Sequence, residues 1–198
     1  MPITYTNRKG RTYYLRQGVT KTGKPRYYFT AKAEGNPVDK IPEGYTIQES
    51  VNGIVSLAKD RPMLILEKET DAVNLAVKKH PKAKNYRVSV KSDRIEIYEH
   101  VGPNATDLFA AFFKEEGFPI PDANMAKRLQ EEERVYGQFT PVMRFILTDE
   151  KNRRFRAQRM CYLGSIDDWI DIAYNETVAK LVSRLIPTLG TEEFFELF

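Results

Sequence analysis

The sequence has little of the chemistry that marks a secreted or membrane protein. Cys161 is the only cysteine among 198 residues, so the chain cannot form an internal disulfide bond. No apolar run approaches the roughly 18 residues of a membrane helix, and "MLIL" at 63–66 has only strand length. The opening stretch, "MPITYTNRKG", lacks the apolar region of a signal peptide. We therefore expect a cytoplasmic protein without a membrane segment.

Motifs for common cofactors and nucleophiles are also missing. The sequence contains no GxGxxG, GxxxxGK[ST] or GxSxG pattern. Its only histidines, His80 and His100, form no HxxxH pair. We therefore expect no catalytic residue, no metal and no cofactor. A metal-dependent nuclease is a third hypothesis after two binding functions, because a site can assemble from scattered residues such as Lys91, Asp93 and Glu96.

The acidic string "DDWID" at 167–171 has two interpretations. Three carboxylates on one face of a helix suit Mg²⁺. Alternatively, Ser165 caps a helix whose first turn holds Asp167 and Asp168, where acids stabilise the positive helix end. No second acidic motif accompanies the string. We therefore favour the helix cap.

What the sequence does contain is a series of β-hairpins. In the first, strands at 13–19 and 25–31 flank Lys21-Thr22-Gly23, which fits a three-residue loop ending in a left-handed glycine. This loop sets the pairing of the two strands, because the apolar residues then share one face. The predicted pairs are Leu15–Phe29, Tyr13–Ala31 and Gln17–Tyr27 on the core face, and Arg16–Tyr28, Tyr14–Thr30 and Gly18–Arg26 on the other.

The rest of the chain mixes hairpins with helices. We predict hairpins at 45–51/54–59 (around Asn52-Gly53 in a type I′ turn), 86–91/94–99 and 139–147/155–163, a strand at 63–66, and helices at 70–80, 104–116, 122–136 and 175–186, with Thr70, Asn104 and Asp122 as N-caps. This order predicts an α+β fold: several antiparallel β-hairpins with a central βαββα unit and helices on one side.

Two questions of organisation stay open. The βαββα order with a following strand is typical of a ferredoxin-like unit, but the hairpin at 139–163 could instead form a separate sheet. Residues 1–60 form a basic N-terminal β-hairpin region and 61–198 an α+β main domain, either as two domains or as one compact domain.

Several stretches resemble a family of conserved hypothetical proteins of bacteria with no assigned function. They are "KTGKPRYYFTAKAEG", "IPEGYTIQESVNG", "FTPVMRFILTDE" and "GSIDDWI", with the ending "LGTEEFFEL". Because they are spread over most of the chain, the resemblance implies one family rather than a fusion of known domains. It implies no activity, substrate or catalytic residue.

Positive charge is concentrated at the start of the chain. Residues 1–33 contain eight Lys or Arg and no acid, whereas 102–198 have twelve cations and sixteen acids. Such a segment attracts polyanions or an acidic partner. A two-stranded ribbon fits the DNA major groove, and tyrosines among cations suit stacking on single strands. We therefore expect a non-enzymatic nucleic-acid-binding protein whose binding weakens with salt.

The expected contact residues lie mainly on the non-core face of the first hairpin, with an arginine strip on the last one. They are Arg11, Tyr14, Arg16, Lys21, Lys24, Arg26, Tyr28, Arg144, Arg154 and Arg156. Structural roles compete with this interpretation. Arg16 can form a cation–π pair with Tyr28, and Tyr14 can be buried under a neighbouring sheet.

The alternative function is that of a protein–protein interaction subunit without a nucleic-acid role. The final residues "FFELF" place Phe194, Phe195, Leu197 and Phe198 close together. Such an end either docks into its own core or inserts into another chain, including a second copy of this one.

Overall fold

The chain forms two compact units. The computed structural model describes residues 1–102, 123–162 and 167–196. Of these, 1–61 and 123–137 belong to the first unit, and 62–102, 138–162 and 167–196 to the second. Mixed helices and antiparallel sheets give an α+β fold with several hairpins, as predicted.

Numbered along the chain, the described residues form eleven strands and four α-helices. They are β1 Thr4–Thr6, β2 Thr12–Val19, β3 Pro25–Thr30, β4 Asn36–Pro37, β5 Tyr45–Glu49, β6 Val55–Lys59, α1 Glu67–Lys79, β7 Tyr86–Val90, β8 Arg94–His100, α2 Ala123–Tyr136, β9 Phe139–Asp149, β10 Arg154–Tyr162, β11 Asp167–Glu176, α3 Val178–Leu185 and α4 Glu192–Glu196. Single 3-10 turns lie at Ala83–Asn85 and Ile186–Thr188.

The first unit is built around β2. One edge of β2 pairs with β3, while β1 and β4 share the other edge, so Arg16 lies between Tyr28 of β3 and Pro37 of β4. The β2–β3 pairing is the predicted one from Tyr14–Thr30 to Gly18–Arg26. β5 and β6 form a separate two-stranded hairpin.

Three hairpins of this unit have the same type of turn. A residue with a polar side chain starts a three-residue loop that ends in a glycine of positive φ: Asn7 to Gly10 (74°), Thr20 to Gly23 (78°) and Ser50 to Gly53 (76°). The first residue donates its N–H to the carbonyl four positions on, and its side chain accepts that residue's N–H. The type I′ turn predicted at Asn52-Gly53 is therefore wrong. Pairing of Ser50 with Ile54 lengthens the loop, and only Gly53 needs a left-handed conformation.

The second unit is a five-stranded antiparallel sheet in the order β11-β10-β9-β8-β7. Helices α1 and α3 supply side chains to the core on one face of this sheet. Fully buried strand residues of that face are Ile95, Ile97, Met143, Phe145, Phe155 and Ala157. The predicted pairs Val88–Ile97 and Val90–Ile95 are confirmed. Cys161, predicted for the same apolar face, is half-buried.

The start of this unit differs from the prediction. Residues 63–66 form no strand, and α1 begins at Glu67 rather than behind a Thr70 cap. The carboxylate of Glu69 accepts the N–H of Leu66 at 2.9 Å and so caps the helix. Without a strand before α1, and with every described pairing antiparallel, the ferredoxin-like arrangement is wrong. The alternative of a separate sheet is also wrong, because β9 pairs with β8.

The string "DDWID" lies in a strand rather than at a helix start. Its residues belong to β11, where Trp169 pairs with Met160 and Asp171 with Gln158 of β10. Pairing with a long neighbouring strand outweighs the local helix-capping preference. Because β11 runs to Glu176, the last long helix begins at Val178 rather than at 175. The predicted helix at 104–116 and the predicted caps Asn104, Asp122 and Ser165 lie outside the described residues.

His80 follows α1 and lies in a buried environment. It is 9% exposed, and its Nδ1 accepts the N–H of Lys82 at 3.1 Å. Its ring meets the edge of the Tyr86 ring at 5.1 Å. Burial lowers the pKa of His80 below its usual value, although a hydrogen bond to the Leu189 backbone opposes this effect. A proton on Nδ1 would remove the acceptor that Lys82 uses.

We expect His80 to make the protein less stable under mild acid. Its folded pKa lies below the unfolded value of about 6.5, so the unfolded chain binds more protons and stability falls as the pH drops from about 7 to 5. Denaturant unfolding of wild type and His80→Gln at both pH values tests this, since Gln can accept and donate without titrating. An equal loss of stability in both proteins would contradict it.

A buried ion pair joins α1 to the β9–β10 turn. Arg153 donates Nε and Nη2 to the Glu69 carboxylate at 2.9 and 2.6 Å, and Nη2 also donates to the Leu64 carbonyl at 3.0 Å. Burial opposes ionisation of Glu69, but hydrogen bonds from Arg153 and from Leu66 N–H hold its pKa below the usual value. Arg153 keeps this geometry at a positive φ of 51°. The pair therefore fixes both the helix start and the turn.

Breaking this ion pair is expected to be costly. Arg153→Met leaves the buried Glu69 carboxylate unpaired, and we expect it to lower the free energy of unfolding by about 3 kcal/mol. Glu69→Gln leaves the half-buried Arg153 without its charged acceptor and should cost about 2 kcal/mol. The double variant should cost less than the sum of the two. As a control, Glu176→Gln removes an exposed pair with Arg184 and should cost no more than about 1 kcal/mol. Similar losses in Glu69→Gln and Glu176→Gln, measured by urea denaturation, would show that burial does not matter here.

Candidate nucleic-acid interface

Strand β2 separates the basic turns of the first unit. The loop with Arg8 and Lys9 precedes β2, and the loop with Lys21 follows it. The eight residues of β2 span about 26 Å, at about 3.3 Å per residue. The cations that are contiguous in sequence over 1–33 therefore lie at two ends of a strand. They do not form one patch.

The turn at Asn7 is occupied by contacts within its own unit. Asn7, 5% exposed, donates Nδ2–H to the Gly53 carbonyl at 2.6 Å and so joins the β1–β2 and β5–β6 turns. Glu49 accepts the N–H of Arg8 at 3.1 Å and the hydroxyl of Tyr5 at 3.0 Å. The hydrogen bond to Glu49 raises the pKa of Tyr5. This end of β2 is a structural junction.

Arg11, a predicted contact residue, lies at the same end. It is exposed, and its guanidinium carbon is 5.6 Å from the centre of the Tyr13 ring. Its backbone N–H donates to Asn7 Oδ1 at 2.9 Å. Arg11 is therefore accessible but belongs to the junction and not to the turn between β2 and β3.

Arg16 is buried, so the expectation of an exposed contact residue at this position is wrong. It is 4% exposed, Nε donates to the Glu34 carbonyl at 3.1 Å, and Nη2 donates to the Ala33 carbonyl. Its guanidinium lies over the ring of Tyr14, at 5.3 Å, and not over Tyr28. Arg16 therefore ties the loop after β3 to the sheet. Tyr14, half-buried beside it, shares this structural role.

The turn between β2 and β3, which we call the distal turn, carries exposed cations, as predicted. Lys21, Lys24 and Arg26 are exposed and form no ion pair within the part of the chain that the structure describes. Tyr28, 40% exposed, packs its ring against Gly18, where an added Cβ would lie 3.3 Å from the Tyr28 ring. Lys24 directly precedes β3 and is hydrogen-bonded to Thr20 across the hairpin, so Lys24, Arg26 and Tyr28, at intervals of two residues, share a face. We call these four residues, Lys21, Lys24, Arg26 and Tyr28, the distal cluster.

The arginine strip of the last hairpin lies in the second unit and is only half-exposed. Arg144 and Arg156 are on the sheet face opposite the core, because their strand neighbours Phe145 and Phe155 are fully buried. Arg156 Nη1 lies 3.8 Å from Asp171 Oδ1. Arg154 is also half-buried. The structure therefore brings Arg144 and Arg156 together in the second unit, whereas the distal cluster belongs to the first unit.

A row of polar side chains crosses this sheet face. Cross-strand pairing aligns one residue from each strand: Ser89, Glu96, Arg144, Gln158 and Asp171. Glu96 and Gln158 are each 6% exposed. Strand alternation alone predicts that Glu96 and Arg144 lie on the face opposite the core. Their alignment in one row, however, depends on pairing between strands of separate hairpins. Local turn chemistry carries no signal for that pairing.

The carboxylates considered for a nuclease bind an arginine instead. Glu96 accepts Arg94 Nε at 2.7 Å and the Tyr98 hydroxyl at 2.8 Å, and Asp93 accepts Arg94 Nη1 at 3.0 Å. Burial, reinforced by Glu96, raises the pKa of Tyr98. No group of three or more His, Cys, Asp or Glu that could hold a metal occurs in the described ranges. Lys91 uses its backbone N–H to pair with the Arg94 carbonyl.

The aromatic C-terminal segment is divided between core and surface. Phe194 is 3% exposed and packs in the core of the second unit, whereas Phe195 is 61% exposed. Arg159 Nη2 donates to the Phe195 carbonyl at 2.9 Å. Leu197 and Phe198 lie outside the described residues. Part of this segment therefore docks into its own chain.

Comparison of the chain with protein-family models, with curated proteins and with solved structures found no match. Among the helices that the structure describes, none has the length and apolar character needed to cross a membrane. The candidate interface therefore rests on its own geometry and charge.

The different roles of Arg16 and Arg26 predict different effects on stability. Arg16→Met leaves two backbone carbonyls without their donor, and we expect it to lower the free energy of unfolding by about 1–3 kcal/mol. Arg26→Met changes an exposed position and should stay within about 0.5 kcal/mol of wild type. Urea denaturation of both variants makes the comparison. An unchanged free energy of unfolding in Arg16→Met would show that Arg16 does not anchor the loop.

Proposed function

We propose that the protein binds nucleic acid through the distal cluster, without catalysing a reaction. The observation that carries this proposal is the set of three exposed cations, Lys21, Lys24 and Arg26, without acidic partners among the described residues. Tyr28 lies on the same face as two of them. Elsewhere in the first unit, Arg8 and Arg16 are engaged by Glu49 and by backbone carbonyls.

The shape of the hairpin supports this proposal. Beyond Gln17, the described part of β2 pairs only with β3, so Gly18–Arg26 and Val19–Pro25 form a two-stranded ribbon. A ribbon of this width fits the major groove of duplex DNA, where Arg and Lys contact phosphates and guanine edges. Gly18 leaves room for the Tyr28 ring, which a Cβ at this position would crowd. An exposed ring next to cations also suits stacking on an unpaired base.

Phosphate contacts would supply most of the affinity. With three cations at the interface, the logarithm of the duplex association constant should fall with the logarithm of salt with a slope of about −2.7. A short duplex and a single strand of the same length, each as DNA and as RNA, would show which form binds best. Fluorescence anisotropy at low and moderate salt gives both affinity and slope.

Neutralising the cations of the distal cluster is expected to abolish most of this binding. The triple variant Lys21→Gln, Lys24→Gln, Arg26→Gln should bind at least about tenfold more weakly at low salt, with a slope near zero. A matched control, Lys78→Gln, Lys79→Gln, Lys151→Gln, removes three exposed charges from the second unit. Equal weakening in the two variants, or no binding by wild type at low salt, would reject the proposal.

The aromatic member of the cluster has its own control. Tyr28→Ala should weaken single-strand binding by about fivefold or more, the lower range for loss of one stacked base. Tyr45 is a matched position, since it is 41% exposed in a strand of the same unit, against 40% for Tyr28. Tyr45→Ala should leave affinity unchanged.

A further inference from the structure

A second polar cluster lies on the sheet of the other unit and does not depend on the distal hairpin. Arg144, Gln158 and Asp171 are cross-strand neighbours on β9, β10 and β11. Arg156 contacts Asp171, and Trp169 lies under Arg144. We call these five residues the Arg144 cluster. Its polar groups are only partly satisfied by one another.

Arg144 is held in place but uses few of its donors. Its Nε–H donates to Gln158 Oε1 at 2.7 Å, and its guanidinium carbon lies 4.0 Å from the centre of the Trp169 ring. Its terminal nitrogens make no hydrogen bond to any residue that the structure describes. Burial lowers the pKa of Arg144, and the positive charges of Arg94 and Arg156 act in the same direction, whereas the charges of Glu96 and Asp171 oppose this effect. An anion at this position would relieve that repulsion.

Two buried atoms beside Arg144 also lack partners. Nε of Arg156 and Oδ1 of Asp171 are buried and make no hydrogen bond within the described residues. The Asp171 carboxylate as a whole does have a partner, the Tyr174 hydroxyl, whose pKa is raised by burial and by this hydrogen bond. The contact of 3.8 Å between Arg156 Nη1 and Asp171 Oδ1 is too long to count as one. The two side chains as a whole keep 39% and 26% of their surface exposed, so a small molecule can reach their other atoms. Direct bonding to Arg156 Nε and Asp171 Oδ1 requires the two side chains to rotate. Unpaired buried groups of this kind indicate a bound water or ligand.

The unpaired groups define the chemistry of the missing partner. Arg144 and Arg156 offer N–H donors, so the partner must have acceptor oxygens. Asp171 Oδ1 is an acceptor, so the partner must also carry a donor. Inorganic hydrogen phosphate has both kinds of group, whereas sulfate at neutral pH has acceptors only.

We propose that the Arg144 cluster binds inorganic hydrogen phosphate. Its oxygens accept hydrogen bonds from the terminal nitrogens of Arg144 and from Arg156 Nε, and its hydroxyl donates to Asp171 Oδ1. Two arginines and one aspartate leave a net positive charge for the anion. Trp169 and Gln158 fix the guanidinium of Arg144, so little side-chain freedom is lost on binding.

Glu96, the other cross-strand neighbour of Arg144, does not act as a free competing anion. It is 6% exposed and accepts hydrogen bonds from Arg94 Nε at 2.7 Å and from the Tyr98 hydroxyl at 2.8 Å. Arg94 therefore already compensates its charge. Arg144 is attracted by the charges of Glu96 and Asp171 but has no hydrogen-bonded acid among the described residues.

Trp169 is the only tryptophan of the chain, so its fluorescence reports on this cluster. The full chain is titrated with phosphate, sulfate and methyl phosphate near pH 7.5, at an ionic strength held constant with chloride. We expect a saturable change with phosphate and a response to sulfate at least about tenfold weaker. A phosphate monoester has lost its second proton above about pH 6, so it should also bind less well than phosphate at this pH. Equal affinities for phosphate and the monoester would overturn the role of Asp171.

Variants separate the predicted contacts, with affinity measured by calorimetry because Arg144 itself affects the Trp169 signal. Arg144→Gln should weaken phosphate binding by about tenfold or more. Arg144→Lys keeps the charge but loses the planar fork, and should also bind more weakly. Asp171→Asn should bind sulfate nearly as well as phosphate. Arg184→Gln, on the exposed side of α3, is the matched control and should behave as wild type.

Circular dichroism and unfolding midpoints confirm that each variant is folded before its affinity is interpreted. No saturable response of wild type to phosphate up to about 10 mM, a range in which even weak Kd values near 1 mM are seen, would overturn the proposal and leave a bridging water as the partner of Arg156 and Asp171. Unchanged phosphate affinity in folded Arg144→Gln would overturn it as well.

Discussion

The alternation of side chains along the five strands of the second unit is the constraint on which both of its faces depend. Phe145 and Phe155 are fully buried because helices α1 and α3 cover that face. Their strand neighbours Arg144 and Arg156 must then point the other way. A shift of β9 or β10 by one residue would turn Phe145 or Phe155 away from the core and turn Arg144 or Arg156 into it. The apolar core therefore fixes the polar face, and no local preference of the arginines is needed to place them there.

The first unit is stabilised differently, because its short strands bury few large apolar side chains. Among the apolar residues of its described strands, Leu15 and Val55 are buried. Hydrogen bonds from polar side chains stabilise this unit in addition to its apolar contacts. Arg16 joins a loop to the sheet through backbone carbonyls, and Asn7 joins two turns. Hydrogen bonds to charged groups are stronger than neutral ones, so a buried arginine can hold a loop where an apolar contact is lacking. This explains why a basic sequence does not give an equally basic surface.

Local patterns predicted much of this fold, and long-range pairing explains what they missed. The loop at Gly23 and the alternation of the strands were enough for the β2–β3 pairing, because both act over a few residues. The loop after β3 that covers Arg16 has no such local signal, so an exposed arginine was expected. Likewise, "DDWID" has good helix-capping residues, but its pairing with β10 decides its conformation. Of the candidate residues, those at the end of the hairpin were predicted best, because nothing beyond the hairpin pairs with them in the described residues.

Long-range strand pairing also decides which charged residues of this chain lie close together. Cations that are adjacent in sequence at 1–33 lie at two ends of β2, and contacts within the unit engage those at the Asn7 end and Arg16. Conversely, Arg144 and Asp171 are far apart in sequence, yet the register of β9, β10 and β11 places them on either side of Gln158. Net charge over a segment therefore says little about binding here until the partners of each cation are known. We therefore propose binding at cations that have no hydrogen-bonded acid among the described residues: Lys21, Lys24 and Arg26 at the ribbon end, and Arg144 on the sheet.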